Sequence, residues 1–191
     1  MLHNDLSLFL KAIKFSAEKH RHQRRKDERA SPYINHPIEV ANVLWTSGDV
    51  FDLATIVGAI LHDTIEDTNT TPEEIRINFG EEILVLIQEV TDDKSLPKKE
   101  RKRQQIEKAP LLSWRAKQIK IADKICNIND IVNYPPQNWS WQRRADYLDW
   151  ADSVIAGLRG VNAKLENNFD DTLAAARNKL AGERESAAKG A

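Results

Sequence analysis

Long apolar runs are missing from this 191-residue chain. The longest, residues 53–61, is about half of the roughly 20 residues a helix needs to cross a bilayer, and 30% charged residues also argue against a membrane protein. The N-terminus, MLHNDLSLFLKAIKF, lacks a basic region followed by a long apolar core, so no signal peptide is expected. Cysteine is almost absent: Cys126 stands alone, which excludes an internal disulfide framework and fits a reducing, cytoplasmic setting. Net charge is almost absent too, at −1, so no global field attracts polyanions. No segment of alternating period, internal repeat or domain linker stands out. What is present is 41% apolar residues, enough for one domain with a substantial core.

The near-zero charge conceals two basic runs. Residues 19–29 read KHRHQRRKDER and residues 98–103 read KKERKR. Such runs are ordinarily solvated faces. The functional reading is a phosphate-binding rim around a small anionic ligand. A duplex-binding protein carries a wider positive excess, so no nucleic-acid partner is expected.

Helical spacing dominates the chain. Leu6, Leu8, Phe9, Leu10, Ile13 and Phe15 fall mostly on one side of a first helix ending near His20. A polar loop runs to Asn35, and Pro37 suits a helix start, followed by the core-facing Ile38, Val40, Ala41, Val43, Leu44 and Trp45. A third helix, starting near Asp49, is apolar almost all round and is expected to be central, with Gly58 permitting a close neighbour. Thr71-Pro72-Glu73-Glu74 is a helix start with a hydroxyl cap, a proline and two acids, and Phe79-Gly80 ends that short helix. Further helices are expected over residues 81–90, 98–108, 113–131 (Ile119, Ile121, Ala122, Ile125 and Ile128 inward) and 140–159, with a last one from about Asn162. The expected fold is all-α, a single domain over residues 1–180, with a polar, frayed tail over 181–191.

The chemistry-bearing residues gather at the end of the most apolar helix. His62-Asp63 closes it and Glu66-Asp67 follows, so His62 and Glu66, and Asp63 and Asp67, share faces if the helix continues one turn. Four ionisable groups there are costly to desolvate without compensation, and a divalent cation supplies it. His36 precedes a helix-starting proline, and Asp123 lies in an apolar helical stretch. Each has a bland alternative: a His-Asp pair on the surface, a hydrogen-bonded core histidine, an Asp123–Lys124 ion pair. As a set, two imidazoles and two carboxylates suit Mn²⁺, Fe²⁺ or Zn²⁺ and leave positions for a water and a phosphate oxygen.

The order His36, His62-Asp63, Asp123 resembles the H…HD…D signature of the HD-domain phosphohydrolases. The segments HRHQRRKDERASPYINHPIEVANVL, GAILHDTIEDTNTT, FGEEILVLIQEVTDDKSLPKKERKR and IKIADKICNINDI resemble the hydrolase domain of RelA/SpoT proteins, most closely the stand-alone small alarmone hydrolases of metazoan SpoT-homologue type, over roughly residues 5–167. No synthetase or regulatory segment is expected.

The resemblance implies an HD-domain helical bundle that removes the 3′-diphosphate from (p)ppGpp, giving GDP or GTP and pyrophosphate, with Mn²⁺. It implies His36, His62, Asp63 and Asp123 as metal ligands. Glu66 and Asp67 become the catalytic acidic pair, one of them orienting or deprotonating the attacking water. Arg25, Lys26 and Asn127 fall near the nucleotide, and Lys98, Arg143 and Tyr147 at the cavity edge. Cys126 is expected only to pack.

Two alternatives stand beside this reading. One keeps the site and removes a phosphate from another nucleotide, such as the 2′-phosphate of NADPH. The other is a non-catalytic nucleotide-binding protein, which loss of a ligand or of the acidic pair would favour; all are present. The native metal and the oligomeric state stay open.

Overall fold

The computed structural model describes residues 2–189, with side chains over 4–186. In chain order the helices are α1 (Leu2–Lys19), α2 (Asn35–Thr46), α3 (Leu53–Leu61), α4 (Thr64–Asp67), α5 (Pro72–Phe79), α6 (Glu81–Val90), α7 (Lys98–Lys108), a 3₁₀ turn (Ala109–Leu111), α8 (Trp114–Asn133), α9 (Trp141–Ala156) and α10 (Ala163–Lys189). No strand forms among the described residues; the one β-like contact is an isolated bridge between Arg24 and Pro32. Among the described residues no helix is long and apolar enough to cross a membrane.

α8 is the central rod, with α2, α3, α6, α9 and α10 packed around it and α1 lying on α3. Its buried residues include Ile119, Ile121, Ala122, Ile125 and Ile128, the inward set expected from spacing. α3 is buried from Thr55 through Leu61. Gly58 is where α6 comes closest: a Cβ there would stand 2.7 Å from Leu86 Cδ2.

Local signals set most helix ends. Thr71 and Glu74 form a reciprocal capping box ahead of Pro72. Gly80, at φ 87°, separates α5 from α6 in a conformation other residues rarely adopt. Ser113 and Ser140 cap α8 and α9 through their side chains.

Four expectations need correction. α3 begins at Leu53 rather than near Asp49, because the Asp52 carboxylate accepts from the Thr55 N–H and hydroxyl and caps it there. Asp49 itself has a positive φ of 50°. On α1, Leu6 and Leu10 are exposed, since their i,i+4 stripe turns away from the core; Leu8, Phe9, Ile13 and Phe15 face inward around buried Ala12 and Ser16. On α2, Ile38 and Trp45 are exposed, and Trp45 packs edge-on against exposed Phe51. Finally, the described part of the expected tail is helical. α10 continues to Lys189, since Ala, Glu, Arg and Lys are strong helix formers. Trp141 Nε1 donates to Leu180 O and Arg144 pairs with Glu183 across the junction.

Candidate metal centre and substrate cavity

Three segments distant in sequence meet beside α8. The first turn of α2 supplies His36, the C-terminus of α3 supplies His62 and Asp63, and the middle of α8 supplies Asp123. His36 and His62 are both 5% exposed and Asp123 is 9% exposed, so these polar groups require compensation within the fold. One ligand atom from each of His36, His62 and Asp123 lies within 4.8 Å of the other two. Asp63 Oδ2 is 3.0 Å from His62 Nε2 and 3.8 Å from His36 Nε2.

The histidines are held for ligation. His62 Nδ1 donates to the Ala59 carbonyl at 2.8 Å, which leaves the Nε2 lone pair of the neutral ring pointing inward. That Nε2 is buried and makes no well-directed hydrogen bond. His36 Nε2 lies 3.1 Å from Asp123 Oδ1. Burial disfavours a charged His62, but Asp63 and Asp123 outweigh it and raise its pKa to about 9. Burial also works against the Asp63 and Asp123 carboxylates, yet His62 and His36, and Lys124 beside Asp123, hold both below the usual range. An orphaned imidazole nitrogen amid two carboxylates fits a divalent cation, which would displace the His62 proton.

Neighbouring side chains fix these groups. Lys124, buried, donates to Asp123 Oδ2 at 3.0 Å, so the ion pair foreseen as a bland alternative exists alongside the cluster. Asn127 Nδ2 donates to Asp123 Oδ1 at 2.6 Å, and its Oδ1 accepts from Arg25 at 3.1 Å. Tyr33 donates to Asp63 Oδ2 at 2.6 Å.

The α3 helix breaks at His62-Asp63 and resumes as α4, which carries Glu66 and Asp67. Glu66 Oε2 accepts from the Asp92 N–H at 2.9 Å. Burial, reinforced by the Asp92 and Asp63 charges, raises its pKa to about 7. Asp67 accepts from Gln23 at 3.0 Å and from Lys94.

Asp67 opens onto a cavity of about 560 Å³ lined by Arg25, Lys26, Tyr33, Asn127, Trp139 and Tyr147 among others. Arg25 is clamped by Asp130 and Asn127. Lys98 and Arg143 reach this wall through Trp139, their charged groups lying 5.9 and 4.3 Å from its ring. Of the residues read from sequence, Arg25, Lys26, Asp67, Asn127 and Tyr147 line this cavity. The metal-suited cluster lies behind it, joined to it through Tyr33 on Asp63 and Asn127 on Asp123, with Asp63 meeting the imidazoles at the edge of the tighter three-residue cluster.

Tyr33, Gln23, Asp92 and Lys94 also shape the site, and sequence reasoning did not single them out. Tyr33 was the most accessible of them, three residues before His36 in Tyr33-Ile34-Asn35-His36. The others sit in polar loops, where no periodicity marks a side chain that turns inward. Cys126 is buried and its thiol is raised by burial, as expected of a packing residue.

The HD domain family model matches residues 12–148. The chain belongs to the HD-domain family, whose hydrolases use divalent metals. Within that family it is 51% identical over 167 residues to guanosine-3′,5′-bis(diphosphate) 3′-pyrophosphohydrolase MESH1 of Xenopus tropicalis, covering 87% of this chain and 93% of that protein. It is 47% identical over 163 residues to human MESH1, covering 85% and 91%. A solved structure of a metazoan orthologue of SpoT, described as hydrolysing ppGpp and acting in starvation responses, superposes with a TM-score of 0.84 at 44% identity, over 86% of this chain and 93% of that one. This HD-domain chain is therefore of the metazoan SpoT-homologue type.

Proposed function

We propose that this protein is a guanosine-3′,5′-bis(diphosphate) 3′-diphosphatase acting on ppGpp and pppGpp in the cytoplasm, with Mn²⁺ as its metal and residues 1–180 as its catalytic domain. The observation that carries the reading is the junction of two features: a cluster of imidazoles and carboxylates suited to a dication, and a cation- and aromatic-lined cavity whose wall residues Tyr33 and Asn127 hydrogen-bond to that cluster. Relatives about half identical, matched over more than nine-tenths of their own length, bear the name of that activity.

In this reading His36, His62, Asp63 and Asp123 hold the metal. When bound, it would polarise phosphate oxygens and lower the pKa of a coordinated water. Asn127 and Lys124 fix the Asp123 carboxylate between them. Arg25 and Lys26 receive the nucleotide, and Lys98 and Arg143 screen phosphate charge beside Trp139 and Tyr147. Glu66, with its pKa near neutrality, takes the proton from the attacking water. Asp67, held by Gln23 and Lys94, orients that water. Water oxygen bonds to the phosphorus of the 3′-diphosphate nearest the ribose, the bond from that phosphorus to the 3′ oxygen breaks, and the 3′ oxygen takes up a proton, returned from Glu66 directly or through solvent, so that pyrophosphate and the 3′ hydroxyl are the products.

The test is pyrophosphate release from ppGpp by Mn²⁺-loaded protein, with NADPH as a competing substrate. Faster turnover of ppGpp supports the assignment. Release of inorganic phosphate from NADPH with none of pyrophosphate from ppGpp overturns it.

A further inference from the structure

Behind Glu66 lies a line of contacts that this reaction does not use. Among the described residues, the only hydrogen bond to the Glu66 carboxylate comes from the backbone N–H of Asp92. A backbone donor is only as well placed as its peptide, and this one lies just beyond the C-terminus of α6, where no helical ladder holds it. Its own side chain holds it instead. Asp92 Oδ2 accepts from Gln105 Nε2 of α7 at 2.5 Å, and Oδ1 lies 4.0 Å from Lys120 Nζ of α8. The Asp92 and Lys120 side chains are only 16% and 13% exposed, so water competes little for these contacts.

Gln105 is placed at a standing disadvantage. A carboxylate can only accept, so the amide nitrogen must face Asp92. Its Oε1 is left buried without a partner, which an apolar side chain of similar size would avoid. The position of Gln105 on α7 gives a reason for that arrangement. Lys98, Lys102 and Gln105 follow i, i+4, i+7 spacing along one face. Lys98 lies over Trp139 and Lys102 over Tyr147, both lining the cavity. The helix face that presents cations to the cavity wall thus also grips Asp92.

We propose that Gln105 is a positioning residue: through Asp92 it holds the backbone donor that orients Glu66, coupling the seating of α7 against the cavity to the catalytic carboxylate. This rests on the phosphohydrolase reading above.

The test is steady-state kinetics of the full, Mn²⁺-loaded chain on ppGpp, with calorimetric Mn²⁺ titration and melting curves alongside. Gln105→Leu removes the donor and the stranded oxygen together. It lowers kcat about tenfold or more and leaves KM within about twofold and Mn²⁺ affinity unchanged; its melting point falls somewhat, because Asp92 loses a donor, but stays above the assay temperature. Gln105→Lys, which still donates to Asp92, recovers most of kcat. If wild type turns over ppGpp and Gln105→Leu matches it, the positioning role is wrong while the functional reading stands. The positioning role is equally wrong if KM and Mn²⁺ affinity change together with kcat, or if lysine fails to restore turnover. A wild type inactive on ppGpp overturns the functional reading, and this role with it.

Discussion

Asp63 and Glu66 are three residues apart, yet their substitutions should separate. Asp63 lies against both imidazoles, so Asp63→Ala loses metal and turnover together. Glu66 touches no ligand directly and holds its own bond to Asp92, so Glu66→Gln keeps Mn²⁺ while turnover falls about a hundredfold or more. Calorimetric titration beside kcat measurement checks both, and a Glu66→Gln enzyme with near-normal turnover would remove its assigned role. Because Glu66 must be ionised to accept a proton and its pKa lies at about 7 in the metal-free protein, kcat/KM should rise with pH and level off near neutrality. A bound dication moves that limb lower. Measuring kcat/KM from about pH 5 to about pH 9 tests this, and a rate that falls steadily across the range contradicts it. His36, His62 and Asp123 were legible in the sequence because ionisable groups at an apolar helix end, or within an apolar helix, stand out against their surroundings. Asp92 and Gln105 were not, because a backbone donor carries no residue signature and a glutamine in a polar helix looks solvated.

Among the elements, α3 is both the most apolar helix and the one that delivers His62 and Asp63. Gly58→Val forces a branched side chain against Leu86 and Ile119, and should destabilise the fold by about 1–3 kcal/mol. Denaturant unfolding reads this, and an unchanged midpoint would mean that α6 can move aside. Thr71→Ala removes the capping box of α5 and should cost about 1 kcal/mol without touching kcat, since α5 does not line the cavity. Caps of this kind were readable at Thr71 because a hydroxyl, a proline and two acids coincide there. The start of α3 was misplaced because Asp49 and Asp52 are both plausible caps; Asp52 is the one that accepts from the Thr55 N–H, while Asp49 takes a positive φ outside the helix. The exposed Leu6, Leu10 and Trp45 show the same limit: a stripe wider than the core it meets leaves its margin in solvent.

For the whole molecule, metal binding and folding are linked. In the metal-free protein His62 is raised to about 9 from an ordinary 6.5 by its carboxylate partners. The stability this contributes is complete below the ordinary value and is lost as pH rises through about 9. Mn²⁺ held at His62, as proposed, would have the opposite preference, since it would displace that proton and bind more tightly as pH rises. At a hundred times its dissociation constant it should add about 2.7 kcal/mol. Melting curves with Mn²⁺ and with chelator should therefore diverge as pH increases, and parallel curves would count against a metal at His62. The all-helical architecture was legible throughout, because helical spacing, prolines and glycines punctuate nearly every element. The cavity was not, since its walls come from the loop before α2, α4, α8 and the Trp139–Tyr147 segment, which only the fold brings together.

We propose that the cluster around His62 and Asp63 and the cavity beside it act as one hydrolytic site for a guanosine bearing two diphosphates. The decisive measurement is pyrophosphate release from ppGpp, followed with Mn²⁺ and again after chelation. With Mn²⁺, one pyrophosphate should be released for each GDP formed, and with chelator none. Undiminished release after chelation, or no release from the loaded enzyme, would contradict it.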